Sequence, residues 1–272
     1  MTSLVEERVP YALDRLTDEA DYAVIGPTDG RARVLHTNRF PHSAVCHIER
    51  DFGDGRLTGC TAFLISPTRL LTAAHCIMSP IRRRLNLPHQ ATRIRITPGR
   101  SSASARPFGS QWARAWRVNP AYARRPNSET DIGIIELERP FTPSPGFFQL
   151  WTPSRQDLER LRASRLVHIS GYPADKPVGS QWEHAERLDR VTARQLFYSV
   201  DTCPGHSGAP VWINRTAGRP QVVAVHTAGP RPHSGGAWGC RPGVPLAPAG
   251  LFNRGVRLTP ALARRIAGGF TS

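Results

Sequence analysis

Three segments of this 272-residue chain carry side chains whose types and spacing suit nucleophilic chemistry. The first is Asp201-Thr202-Cys203-Pro204-Gly205-His206-Ser207-Gly208-Ala209-Pro210. A serine between glycines can present its hydroxyl from a tight turn. Glycine at 205 lets the N–H groups of Gly205 and Ser207 point into one small space, where two donors can stabilise the oxyanion of an acyl-transfer intermediate. By itself a Gly-x-Ser-Gly stretch is also an ordinary turn. The second segment is Leu70-Leu71-Thr72-Ala73-Ala74-His75-Cys76, in which a neutral imidazole at a strand end can act as general base for Ser207. The third is Thr130-Asp131-Ile132-Gly133-Ile134-Ile135-Glu136-Leu137. Its single carboxylate, Asp131, stands where an apolar strand begins. Burial there is costly unless the group is hydrogen-bonded, and a histidine N–H is a suitable partner. Singly, His75 also reads as a structural histidine and Asp131 as a turn residue.

The elements that must hold these side chains are short strands. Apolar runs at Ala44–Ile48, Thr61–Ile65, Arg69–Thr72, Ile132–Leu137, Leu166–Ile169 and Gln221–Val225 are rich in Val, Ile and Thr. Twenty-five prolines and 23 glycines punctuate them and exclude a protein built of long helices. One helix is well signalled near the end: Thr259 caps it, Pro260 suits its first turn, Ala261–Ala267 propagate it, and Gly268-Gly269 stop it. Residues 153–163 are a second, shorter helix candidate. The proline-rich stretch 138–155 reads as a connector between two β halves. Barrels and a sandwich both fit this pattern.

The net charge is +15, from 36 basic and 21 acidic residues, and Lys176 is the sole lysine. Such a surface can attract polyanions, but an arginine-rich solvated surface explains the balance equally. Arg82, Arg83 and Arg84 form the only tight basic run, and no aromatic residues interleave with it, so no nucleic-acid partner is expected. No apolar stretch is long enough to span a membrane, and no membrane association is expected. Five cysteines leave at least one unpaired, and the absence of a Cys-x-x-Cys pair argues against a structural zinc site. Residues 1–23 are acidic and weakly patterned. They lack the apolar segment of a secretory signal and read as a leader outside the core.

Taken together, His75, Asp131 and Ser207, in that order and separated by 56 and 76 residues, resemble the chymotrypsin/trypsin-like serine proteases. Thr-Ala-Ala-His-Cys is a specific match to that family, as is the segment around Ser207. The resemblance implies an all-β fold of two antiparallel six-stranded barrels with a C-terminal helix. It divides the chain into a leader (1–23), a first barrel carrying His and Asp (24–140), a connector (141–155), and a second barrel with the serine, the specificity pocket and the terminal helix (156–272). It implies disulfides Cys60–Cys76 and Cys203–Cys240, leaving Cys46 to pack as a small apolar residue. Two disulfides favour an oxidising compartment, at odds with the missing signal segment.

Within the family the chain is similar to the bacterial glutamyl endopeptidases. The matching stretches are Val24-Ile25-Gly26 with Asp29-Gly30-Arg31, Gly171-Tyr172-Pro173-Ala174-Asp175-Lys176, and Phe252-Asn253-Arg254-Gly255-Val256-Arg257. Val225-His226-Thr227-Ala228-Gly229 and Thr202 match the positions that bind an acidic side chain there. This makes Thr202, His226, Thr227 and Gly229 the expected pocket residues, since a histidine donor and a hydroxyl can bind a substrate carboxylate. Asp201 makes the opposite prediction: in trypsins an Asp at this point lines the pocket base and selects Arg or Lys. His206 replaces the Asp that, in animal zymogens, pairs with the freed amino terminus. Cleavage after Glu or Asp is the favoured expectation, with processing near Val24. Cleavage after Arg or Lys, a non-catalytic binding protein on the same fold, and an esterase with the same triad are the alternatives. The expected partner is a protein or peptide substrate of a monomeric enzyme, with no metal or organic cofactor.

Overall fold

In Arg93-Ile94-Arg95-Ile96 the period of two sends the isoleucines to one face and the arginines to the other. Ile94 and Ile96 are fully buried, while Arg93 and Arg95 reach over the Trp112 ring. Strands of this kind build the molecule. The computed structural model describes residues 26–215, 219–230 and 236–270.

A short strand β1 (Ala32–Arg33) precedes a first set made of β2 (Val45–Asp51), β3 (Thr58–Leu64), β4 (Arg69–Thr72), β5 (Arg93–Pro98), β6 (Gln111–Trp112), β7 (Ala115–Val118) and β8 (Gly133–Glu136). Their order is β6-β5-β2-β3-β4-β8-β7. Strands β6 and β7 are the two ends of one bent segment. Between them Ala113 N–H bonds to Ile94 on β5, and Arg114 N–H to Glu136 on β8, so the sheet curls back on itself. The second set is β9 (Gln149–Leu150), β10 (Leu166–Gly171), β11 (Trp182–Val191), β12 (Gln195–Tyr198), β13 (Pro210–Asn214), β14 (Pro220–Ala228) and β15 (Asn253–Arg257). Here the order β11-β10-β13-β14-β15-β12 closes through pairing of β12 with β11, giving a six-stranded antiparallel barrel. The expected all-β barrel architecture with a terminal helix is therefore what the chain adopts.

Among the described residues, four short α-helices complete it: α1 (Pro80–Arg84), α2 (Pro120–Arg124), α3 (Arg155–Leu161) and α4 (Pro260–Ala267). Each begins with an oxygen-bearing cap. Ser79, Asn119, Ser154 and Thr259 all accept a backbone N–H from the first turn, and α3 has a full capping box with Asp157. The ends of the chain cross over. Strand β1 pairs with β11 of the second barrel. Helix α4 lies over the first sheet, where Arg69 donates to the Ala267 carbonyl (2.9 Å) and Arg265 to Asn119 Oδ1 (3.0 Å). Each half is thus strapped by the far end of the sequence. Both expected disulfides, Cys60–Cys76 and Cys203–Cys240, are formed, and Cys46 is a buried free thiol.

Candidate active site

Strand β4 ends at Thr72, and a 3-10 turn over Ala74–Cys76 follows, tethered to β3 by the Cys60–Cys76 disulfide. This turn sets His75 facing the segment that leads into β8. Asp131 Oδ1 accepts the His75 backbone N–H at 2.9 Å, and Oδ2 lies 2.7 Å from His75 Nδ1. Both side chains are buried. One carboxylate therefore fixes the backbone and the ring of the same histidine, which holds the imidazole tautomer with Nδ1–H donating. Cys60 and Cys76 lie close to His75, but their sulfurs are bonded to each other and offer no thiolate to a metal.

The serine turn arrives from the other barrel, between β12 and β13. The Ser207 carbonyl accepts the Thr61 N–H at 2.9 Å and lies 3.5 Å from Cys76 Sγ, the neighbour of His75. Thr61 also donates its hydroxyl to the Gly205 carbonyl (2.7 Å) and accepts the Tyr172 N–H (3.0 Å). A single threonine on β3 thus clasps the two barrels at the turn that carries Ser207. Nothing marks Thr61 in the sequence, because a threonine inside a strand is ordinary. Two glycines are required by this close approach. Gly205 has φ +100°, and a Cβ there would lie 2.4 Å from the Tyr172 carbonyl oxygen. Gly208 has φ +87°, and a Cβ would lie 2.1 Å from the Thr61 oxygen.

His206 is fully buried. Its Nδ1 accepts the Cys203 N–H (3.1 Å), and desolvation, with Arg31 nearby, pushes its pKa down to about 3. It is a neutral packing residue with no charge to offer an amino terminus. Asp201 takes the anchoring role instead. Its Oδ1 accepts the Gly26 N–H and its Oδ2 the Gly30 N–H, each at 2.7 Å, and its own N–H donates to His184 Nδ1 (2.8 Å). Asp201, expected among the substrate-binding residues, thus has its carboxylate buried and engaged by the amino-terminal segment. The same segment is held further by Arg31, which bonds Asp29 and Asp175, and by Lys176 bonding Asp29. Val24 lies outside the described residues.

His226 sits beside the serine turn because its backbone brackets it. The Gly208 N–H donates to the His226 carbonyl (2.8 Å), and the His226 N–H to Ala209 (2.9 Å). Its Nδ1 lies 2.8 Å from the hydroxyl of Tyr198, whose pKa burial holds well above the usual range. The pairing of β14 with β15 slips between His226 and Ala228, a bulge that re-aims the side chains around Thr227. Gly229 follows directly where β14 ends. The Thr202 and Thr227 hydroxyls are fully buried and make no hydrogen bond among the described residues. Buried hydroxyls in that condition suit a site that receives a polar ligand group.

A family model described as Trypsin matches residues 31–245. A glutamyl endopeptidase of Bacillus licheniformis is 32% identical over 235 residues, covering 84% of this chain and 69% of that protein. An extracellular metalloprotease of Bacillus subtilis is 28% identical over 208 residues, covering 76% and 63%. A solved structure titled as a Glu endopeptidase in complex with MPD superposes with a TM-score of 0.70 at 24% identity, covering 91% of this chain and all of that one.

Proposed function

The chain belongs to the trypsin family of serine peptidases, and we propose on that footing that it is an endopeptidase cleaving after Glu or Asp. The observation that carries this reading is the pairing of His75 with Asp131 at 2.7 Å, 56 residues apart and next to the turn that bears Ser207. In this reading Ser207 Oγ attacks the scissile carbonyl while His75 Nε2 takes its proton. The tetrahedral oxyanion is held by the N–H groups of Gly205 and Ser207. His75 then returns the proton to the leaving amine, and water repeats the sequence to release the acyl group. Asp131 stays ionised throughout, orienting the ring and stabilising its cationic form.

For specificity, the Thr202 and Thr227 hydroxyls and His226 would receive the substrate carboxylate, with Gly229 beside them. A buried Tyr198 phenol donating to His226 Nδ1 leaves the proton of the neutral ring on Nε2, where it can donate to that carboxylate. The engagement of Asp201 by Gly26 and Gly30 supports acidic over basic specificity, because the carboxylate is occupied by two backbone donors. Residues 1–23 are proposed to be a removable leader. Gly26, two residues after Val24, docks on Asp201, the neighbour of Thr202.

A mixed peptide library incubated with the protein and with Ser207→Ala, with cuts mapped by mass spectrometry, tests the reading. Cleavage after Glu that vanishes in Ser207→Ala is expected. Cleavage after Arg or Lys would reject the specificity assignment and keep the triad. Amino-terminal sequencing of active enzyme that still began at residue 1 would reject the leader.

A further inference from the structure

Arginines make up nearly all of the basic residues, and most near the sheets are matched to acceptors: Arg69 and Arg114 with Glu136, Arg95 and Arg100 with Glu49, Arg31 with Asp29 and Asp175. The run Arg82–Arg84 does not act as one patch. Arg82 turns inward, donating to the Pro88 carbonyl (2.6 Å) and to Asp54 (3.0 Å). Arg83 and Arg84 instead face a cavity of about 580 Å³, together with Arg124, Arg125 and Arg254. Among the described residues the one carboxylate on its wall is Asp131, which is already bonded to His75.

The local sequence explains the convergence. Helices α1 and α2 are both proline-started single turns that end in arginines, and Arg83 Nη1 bonds the Ala123 carbonyl (2.9 Å), tying the two helix ends together. Among the described residues, Arg83, Arg124, Arg125 and Arg254 have no carboxylate within salt-bridge distance. Arg254 Nε is buried without a hydrogen-bond partner, and desolvation lowers the pKa of its guanidinium. Like charges gathered round one concavity repel one another unless an anion enters.

Position says which anion. The wall includes Asp131, which is bonded to His75, and Ala228, two residues past His226. The cavity therefore adjoins the residues that, in the peptidase reading, act on the bound peptide. We propose that this cavity is a second acidic subsite, which reads an Asp or Glu of the substrate a few residues from the scissile bond. Guanidinium forks suit carboxylates bidentately. The cavity offers no stacking platform for bases, since its one aromatic residue, Tyr122, is buried. The inference rests on the peptidase reading for its role in substrate choice; the binding of acidic peptide can be tested apart from it.

Two measurements on the full chain separate the possibilities. In the first, peptides that share one Glu at the cleavage position carry Asp, Ala or Arg at single positions two to four residues away on either side. An Asp within reach should raise kcat/KM about tenfold over Ala, chiefly through KM, and the gain should fall with added salt. It should also shrink in Arg124→Ala/Arg125→Ala but persist in Arg160→Ala/Arg165→Ala, which removes equal charge elsewhere. Equal rates for Asp and Ala peptides, or an equal loss in both double variants, would overturn the subsite. In the second, a labelled oligoglutamate is titrated into Ser207→Ala. Binding weakened by Arg124→Ala/Arg125→Ala supports the subsite even if no peptide is ever cleaved, in which case the peptidase reading alone fails. Tighter binding of a single-stranded oligonucleotide than of oligoglutamate would overturn it in favour of a nucleic-acid surface.

Discussion

Asp131 does two things to His75: one oxygen holds the backbone N–H, the other the ring. Asn at 131 can keep only part of this and presents an NH₂ to Nδ1, which favours the wrong tautomer. Asp131→Asn is expected to lower kcat by about 10⁴ with KM little changed; a loss under tenfold in a burst-titrated preparation would remove Asp131 from the triad. Asp201 is the other residue whose environment sets its role. Its two oxygens are each taken by a backbone N–H of the amino-terminal segment, so Asp201→Ala should cost about 1–3 kcal/mol of stability and raise KM for Glu substrates. Improved turnover of Arg substrates by native enzyme over Asp201→Ala would instead return the carboxylate to the pocket. Tyr198→Phe should weaken the preference for Glu over Gln at the cleavage position, since Nδ1 of His226 loses its partner. An unchanged Glu/Gln ratio would mean that His226 does not read the substrate.

At the scale of elements, the terminal helix does more than end the chain. Thr259 caps α4, whose last turn receives Arg69 from β4, the strand that leads to His75. Thr259→Ala should lower the unfolding free energy by about 1 kcal/mol, read as a shifted urea midpoint at constant slope. The serine turn is closely packed at its glycines. Gly205→Ala places a methyl against the Tyr172 carbonyl at a backbone angle that suits glycine. It should reduce kcat by about 10²–10³ through displacement of the proposed oxyanion donor, while thermal unfolding stays cooperative. Retained kcat would exclude Gly205 N–H from that role.

For the whole molecule, two buried histidines link stability to pH. Desolvation holds His47 and His206 near pKa 3, against an ordinary value of 6.5. The unfolded chain therefore binds protons between these values that the folded chain does not. Stability contributed by the neutral rings is complete above pH 6.5 and declines as pH falls toward 3, by about 1.4 kcal/mol per pH unit for each histidine. Urea midpoints measured from pH 7 to pH 4 should fall steadily, and the slope should lessen in His206→Gln. A flat profile would mean that these rings are reached by water in the folded state.

The sequence alone carried the chemistry and the local grammar. The two disulfides, the strands around the candidate residues His75, Asp131 and Ser207, and the capped helix over Pro260–Ala267 were legible, because each rests on a local pattern: an alternation, a cap, or a match to a known family. What needed the fold were the contacts between residues far apart in the chain. Asp201 offers a carboxylate whose partners stay unread until Gly26 and Gly30 are seen to engage it, 175 and 171 residues away. Thr61 reads as a strand residue until it bonds the turn of Ser207 from the other barrel. The run Arg82–Arg84 reads as one basic patch until a single helical turn sends Arg82 inward and its neighbours toward Arg124, Arg125 and Arg254. Sequence states which groups a residue offers. Which of them are already used depends on partners that only tertiary packing brings within hydrogen-bond reach.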